Sequence, residues 1–426
     1  MKIAIVGTGI TGLATAYHLL KQRPNAHVFL FEKTDQIGGL GGWTKFDGVD
    51  IEPFYHHYFL SDKKLLKLIE ELGLSEKLYF STSKNANLYD DGYHSLSTPK
   101  DLLTFPKISL WERLKLVFNL TFLKLDTTGL RYDNITAQKW LTEKLGRNTF
   151  KILWKPLMDG KYDNLASKIS MSWFWGRIHD RTFELGYMKG SNRVLFEALS
   201  KKVKRMGAKV ILNTSIKRIK FDDFGCKLVT DLKVHLFDGI VWTPLSPALA
   251  KISNLPQKTK NKLASINHIG TVCCLISLKY KLQENYWVNL CMKNSPFVIA
   301  VEHTNFIKYA KSNKHLVYLA KYTDSNSAFY NLSYLEHKKL IINTLRSMNP
   351  NFKTNWIKKI KIFKAPKTQT IFPIKFLVNQ PQHDLIPKRM YLANIDQTYP
   401  HDRNLGIGVV IGAKVAQYIV DQHPIR

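Results

Sequence analysis

His56 and His57 are adjacent, are preceded by Tyr55 and follow a glycine-rich loop. An imidazole titrating near neutrality can take a proton or hold a hydrogen bond to a reacting group. A pair of structural histidines satisfied inside the fold is the equal alternative. On a strand, successive side chains face opposite ways, so at most one of the two is expected to point at a ligand. No spaced set of carboxylates or further histidines accompanies them, so a metal site is not expected. Farther along, Lys161 and Arg177 lie in a stretch containing Trp154, Trp173, Trp175 and Tyr187. Cations in an aromatic-lined pocket suit an anionic or phosphorylated ligand. Arg181 reads instead as an exposed surface cation.

The elements that must position these residues begin at the N-terminus. Residues 2–6 are apolar from Ile3 onward, as in a buried parallel strand, and 10–22 carry the spacing of an amphipathic helix. Between them runs Gly7-Thr8-Gly9-Ile10-Thr11-Gly12, a G-x-G-x-x-G turn. Gly7 permits the tight turn, Gly9 lets backbone approach a pyrophosphate, and Gly12 lets helix and strand pack closely. Phosphates would rest on the free N–H groups of the helix. Glu32, followed by Lys33, closes a second strand over 27–31, where a carboxylate accepts hydrogen bonds from ribose hydroxyls. A second glycine loop, Gly38-Gly39-Leu40-Gly41-Gly42-Trp43, allows close backbone contact with another part of the cofactor. A plain NAD dehydrogenase has no need of it. The cofactor expected is therefore FAD.

G-x-G-x-x-G, then Glu32, then the Gly38-Gly39 loop resemble the N-terminal signature of the flavin-containing amine oxidase superfamily. That superfamily includes protoporphyrinogen oxidase, phytoene desaturase and, more distantly, UDP-galactopyranose mutase. The resemblance extends to Asn394, Gly406, Ile407 and Gly408 near the C-terminus. In the family such a segment lies along the flavin and places a helix N-terminus at the pyrimidine end of the ring. Ile216 matches the strand that contacts adenine, and Thr243-Pro244 the turn that closes the cofactor domain. The stretch with Trp154-Lys155-Pro156-Leu157, Gly160-Lys161, Arg177 and Leu185-Gly186-Tyr187 is similar to bacterial members known only as protoporphyrinogen oxidase-like or amine oxidase-like. Those members also carry Tyr-His-His after the glycine loop. The resemblance implies non-covalent FAD, because covalent members use a Cys near the C-terminus and no Cys lies beyond Cys291.

The fold class expected is α/β: a two-dinucleotide-binding, Rossmann-like FAD domain formed by 1–95, 191–255 and 385–426, with an inserted α+β substrate domain from 96–190 and 256–384. The helix after the C-terminal glycines is placed from Gly408 onward.

Composition sets the remaining bounds. The chain has 426 residues, with 63 Lys and Arg against 33 Asp and Glu, a net charge of +30. That surplus suits an anionic partner, although the lysines are scattered rather than gathered in one arm. No nucleic-acid-binding motif is present, so none is expected as a partner. Residues 105–125 are apolar with interspersed Lys and Arg, which fits an interfacial membrane helix or a buried core helix equally. The four cysteines lack metal or disulfide spacing, no cleaved leader is apparent, and no run reaches the ~20 apolar residues of a bilayer span. The location expected is cytoplasmic, or the inner face of the membrane.

The resemblance and these bounds imply an FAD-dependent oxidoreductase that removes hydride from a bulky apolar, isoprenoid- or lipid-linked small molecule, with oxygen or a quinone as acceptor. The rival is a reduced-flavin isomerase or mutase acting on a nucleotide- or polyprenyl-linked sugar. A flavin-binding protein without turnover is a third reading.

Overall fold

The structure is a computed structural model, and residues 1–222, 225–309 and 314–424 are described. A parallel sheet forms around Lys2–Val6, whose side chains are almost wholly buried. Its neighbours are His27–Phe31 on one side and Gly239–Trp242 on the other. Lys209–Ile211 and Met390–Leu392 extend it in parallel, and Asp384–Ile386 closes one edge antiparallel. The apolar strand pattern is thus explained by helices covering it. Ile10–Gln22 packs against Leu405–Gln422 so tightly that a Cβ at Gly412 would lie 2.8 Å from the Thr11 carbonyl oxygen. A three-stranded antiparallel sheet, Arg218–Asp222, Gly225–Val229 and Val234–Phe237, joins Lys209–Ile211 to Gly239–Trp242.

A second, seven-stranded sheet is built on His268–Leu278, paired antiparallel with His315–Thr323 and Ile357–Thr370. Tyr334–Met348 covers one face of it, its buried residues joining the core formed with Val272, Cys274 and Ile276. Asn85–Tyr89 and Gly92–Ser95 pair into this sheet through Trp287–Leu290. Their side chains, Leu88 among them, complete the core of the second sheet. A helical layer over 99–179 contributes its own core around Trp140, Phe150, Met158 and Trp173. The final helix starts at Leu405, three residues before the expected Gly408, because Asn404 caps it by accepting from Ile407 N at 2.7 Å.

Candidate active site

The two glycine loops face each other. Gly38 N donates to the Thr8 carbonyl at 3.0 Å, and Gly9 and Gly38 form a parallel bridge. The helix Ile10–Gln22 begins with no side-chain cap and no acidic residue in its first turn, which leaves its dipole end free for an anion. The glycines divide by role. A Cβ at Gly7 would lie 2.3 Å from Thr243 Oγ1, and one at Gly12 2.1 Å from the Gly7 carbonyl oxygen, so both glycines serve close packing within the fold. At Gly9 the nearest atom would be Gly38 O at 3.9 Å, so that side is open to a ligand. Glu32 is pinned by both ends of its carboxylate: Thr8 N and Oγ1 donate to Oε2 at 3.0 and 2.8 Å, Thr34 N and Oγ1 to Oε1 at 3.1 and 3.0 Å. The two hydroxyl donors can rotate away, which frees acceptor sites for ribose hydroxyls. This cradle fits a dinucleotide.

Other residues expected at the cofactor are placed as follows. Leu40 and Trp43 are half-buried beside the buried Gly41 and Gly42, and Lys33 is exposed. Ile216 packs against the core beneath the parallel sheet. Thr243 Oγ1 donates to the Val6 carbonyl at 2.7 Å, and the Pro244 carbonyl accepts from Asn394 Nδ2 at 2.7 Å. Asn394 is 3% exposed and spends its amide on that brace and on capping the turn Ile395–Gln397. At Gly406 a Cβ would lie 2.2 Å from Asp62 Oδ1, and at Gly408 one would lie 2.6 Å from Ile10 Cγ2. The small size of both is thus used by packing at the start of the last helix. Burial raises the Asp62 carboxyl to about 6.

A cavity opens between the seven-stranded sheet, the helical layer and the loop ahead of the last helix, and it gathers all four residues singled out as chemical candidates: His56, His57, Lys161 and Arg177. The histidines depart from expectation. Residues 52–57 are irregular and precede the short strand Tyr58–Phe59, so both imidazoles line the cavity. His56 Nδ1 is 2.6 Å from the Phe54 carbonyl oxygen and His57 Nε2 is 2.5 Å from the Tyr286 hydroxyl. Burial, reinforced by Arg403, lowers His56 to about 4; burial, reinforced by Arg181, lowers His57 to about 3. Both are neutral at pH 7.

Lys161 sits in the last turn of Lys155–Tyr162, which lies against Ile299–Glu302 closely enough that a Cβ at Gly160 would meet Val298 at 2.5 Å. Arg177 lies one turn after Trp173 on Met171–His179, a helix capped by Ser170. Gly176 lets that helix approach the C-terminal loop, since its Cβ would lie 2.5 Å from the Pro400 carbonyl oxygen. That approach delivers Asp402 to both cations: Oδ2 is 2.9 Å from Lys161 Nζ and 3.0 Å from Arg177 Nη1. Of the four aromatics near them in sequence, Trp173 makes the contact, 4.7 Å below Lys161 Nζ and 5.8 Å from the Arg177 guanidinium. Trp154 packs on Phe174, Trp175 stacks on His179, and Tyr187 donates to Glu52. Burial lowers Lys161 to about 7 in spite of Asp402, and the neighbouring cations hold Asp402 well below the usual carboxylate range.

Arg181 is exposed, as the sequence leads one to expect, and it also lines the rim of the same cavity, where the positive charge of Arg177 beside it lowers it to about 9. Asp402 and Arg403 were missed altogether. Among the described residues Arg181 and Arg403 have no carboxylate within ion-pair distance, and Arg403 Nε is buried without a hydrogen-bond partner. The cavity wall carries Lys161, Arg177, Arg181 and Arg403 against Asp180 and Asp402. A signal lay in the sequence: Asp402 is an isolated acid in a basic loop directly ahead of the glycine-containing last helix.

Residues 10–354 match the family of flavin containing amine oxidoreductases. The chain belongs to that family. Its cofactor is accordingly a flavin, and its relatives are oxidases and desaturases. Coproporphyrinogen III oxidase of Staphylococcus aureus is 27% identical over 279 residues, 57% of this chain and 60% of that protein. Zeta-carotene desaturase of Synechocystis is 38% identical over 79 residues, 18% of this chain and 16% of that protein. The matches therefore span less than two thirds of these relatives. Among solved structures, an oxidoreductase from Methanosarcina mazei superposes with a TM-score of 0.76 at 14% identity, covering 97% of this chain and 99% of that one. Reduced UDP-galactopyranose mutase superposes with a TM-score of 0.78 at 14% identity, covering 98% and 95%. These likenesses establish the amine oxidase fold. No helix among the described residues is long and apolar enough to cross a membrane.

Proposed function

We propose that the protein is an oxidoreductase that binds FAD non-covalently and takes hydride from a bulky, lipid-linked small molecule that also bears an anionic group, with oxygen or a quinone as acceptor. The observation that carries this reading is the surplus positive charge of the cavity: Arg403 has a buried, orphaned Nε, and Arg181 at the exposed rim has no carboxylate within ion-pair distance. An anion would neutralise both, and planar guanidinium groups suit carboxylate or phosphate oxygens. Cofactor retention would rest on Gly9, Glu32 and the first turn of Ile10–Gln22. Non-covalent binding is supported by the cysteines, since burial raises all four thiols well above their ordinary value and leaves them protonated and unreactive.

The flavin, when bound, supplies the electron-pair acceptor. The chain supplies orientation and proton handling. Arg177, Arg181 and Arg403 would anchor the anionic end of the substrate. Neutral His56 and His57 can accept a hydrogen bond or proton from its reacting end, each held by a second partner that fixes the ring. Tyr55, Trp287 and Tyr322 would cover its apolar body and exclude water.

A second reading, a redox-neutral mutase on a nucleotide- or polyprenyl-linked sugar, is favoured by the same arginines, which would equally clamp a diphosphate. Anaerobic stopped-flow spectroscopy separates the two. Bleaching of the visible flavin band by a porphyrinogen, carotenoid or other lipid-linked anionic substrate supports dehydrogenation. Turnover of a sugar diphosphate only after dithionite reduction, with no bleaching by any reduced substrate, overturns it in favour of the mutase.

A further inference from the structure

The helix Leu110–Leu125 has two apolar faces. One is the ordinary inner face, with Leu116 and Leu123 buried in the core around Trp140 and Trp173. The other faces solvent: Trp111, Leu114, Phe118, Phe122 and Leu125 are exposed, Phe118 at 72% and Leu125 at 75%. At ~100° per residue these five fall within an arc of about 80°, roughly 150° round from the buried pair. A surface helix normally carries polar residues there. Exposed Leu130 and Phe183 add to the outward apolar surface of this layer. A patch of this kind marks an interaction site.

We propose that this face docks the protein onto an anionic lipid bilayer. Charge at the patch commits it to that partner. Lys115 Nζ lies 5.5 Å over the Trp111 ring, and the Arg131 guanidinium, half-exposed and paired through one nitrogen with Asp126 at 2.7 Å, lies 5.5 Å over the Phe122 ring, so cations flank the inserted aromatics where lipid phosphates would lie. The helix's one acidic residue, Glu112, is spent on its N-terminal capping box with Ser109. The chain's charge of +30 acts in the same direction. A second copy of this chain would bring like charges together across the same face. The same helix also touches the segment that borders the cavity. Lys124 Nζ donates to the carbonyls of His179 and Arg181, and Asp180 and Arg181 line the cavity. Resting on the function proposed above, this places the cationic cavity beside the bilayer, so that its substrate is an amphiphile taken from the membrane by its anionic end. Docking itself requires no turnover and is tested without it.

The experiment is flotation of the full, flavin-bearing chain with vesicles of phosphatidylcholine alone or mixed with phosphatidylglycerol. Partition onto the anionic vesicles should exceed that onto phosphatidylcholine at least tenfold. The double variant Trp111→Glu, Phe118→Glu should lower it at least tenfold while retaining flavin. A charge-matched control, Leu232→Glu with Val234→Glu on the exposed edge of the small sheet, should bind as the wild type does. Brominated lipids should quench the wild type more than Trp111→Phe, which gives a readout even if the double variant loses its flavin. Absence of vesicle binding, equal loss in both double variants, or a dimer that the Trp111/Phe118 variant converts to monomer would overturn the proposal.

Discussion

Asp402 Oδ2 lies 2.9 Å from Lys161 Nζ and the same oxygen is 3.0 Å from Arg177 Nη1, so one carboxylate from the C-terminal loop holds two cations from different helices. Its loss leaves Lys161, Arg177, Arg181 and Arg403 facing one another across the cavity. Removing one partner of a buried pair costs about 3–5 kcal/mol, and the open cavity puts this site at the lower end, about 3 kcal/mol. Asp402→Asn is therefore expected to lower the urea midpoint of the flavin-free protein by that equivalent. An anionic substrate should restore part of the loss by supplying the missing charge. A variant as stable as wild type would show that the cluster does not need its carboxylate.

The glycines of the first turn separate cofactor binding from folding. Gly9 has ordinary extended backbone angles, φ −66° and ψ 178°, and its Cβ position is open. Gly9→Val should therefore fold with nearly wild-type stability yet purify without flavin, because its side chain fills the space left for pyrophosphate. Gly12→Val should fail to fold, its Cβ driven into the Gly7 carbonyl. Absorbance of the purified protein and circular dichroism check both. A yellow Gly9→Val protein would place the pyrophosphate elsewhere.

The contrast between Gly9 and Gly12 shows where sequence was informative. The nucleotide fold is local: Ile10–Gln22 and His27–Phe31 have the bounds that periodicity and punctuation assign, because strand, turn and helix are adjacent in the chain. The cavity is not local. Asp402 meets Lys161 from 241 residues away, and Gly176 is needed only because the 399–401 segment passes over it. Arg181 is the surface cation that its sequence context suggests, and only the fold shows that it also borders the cavity. The pairing of Asn85–Tyr89 with Trp287–Leu290 is likewise invisible in the sequence, because the two strands lie far apart in the chain.

Lys161 predicts a pH dependence of anion binding. Burial sets it at about 7, so it is charged below that value and increasingly neutral above it. Sulfate, whose charge is constant over this range, should raise the melting temperature more at pH 6 than at pH 8.5. The difference should correspond to about a tenfold change in affinity, roughly one pKa unit of coupling. Lys161→Arg keeps the charge at both values and should remove the difference. If the difference persists in Lys161→Arg, the titrating group is another one.

Buried histidines and carboxyls together fix how stability responds to acid. Burial lowers His56 and His383 to about 4 and His57 and His303 to about 3, so between pH 6.5 and those values the unfolded chain binds protons that the folded one refuses. That term destabilises the fold as pH falls. Burial raises Glu302 to about 7, Asp62 to about 6 and Glu52 above its ordinary value, so the folded chain takes up these protons first, which stabilises it over the same fall. From pH 6.5 to 4.5 the histidines and the carboxyls oppose each other, so stability falls only gently with pH. Below about pH 4.5 the carboxyl term saturates because the unfolded carboxyls protonate as well. The histidines then act alone, joined by Asp402 and Asp396, whose folded values are lowered. Stability should fall more steeply there than between pH 6.5 and 4.5. Urea unfolding of the flavin-free protein at pH 6.5, 5.5, 4.5 and 4 measures the slope. His57→Gln with His303→Gln, which cannot take up the withheld protons in either state, should reduce the acid slope by about half. A double variant as acid-sensitive as wild type would move the response away from the cavity.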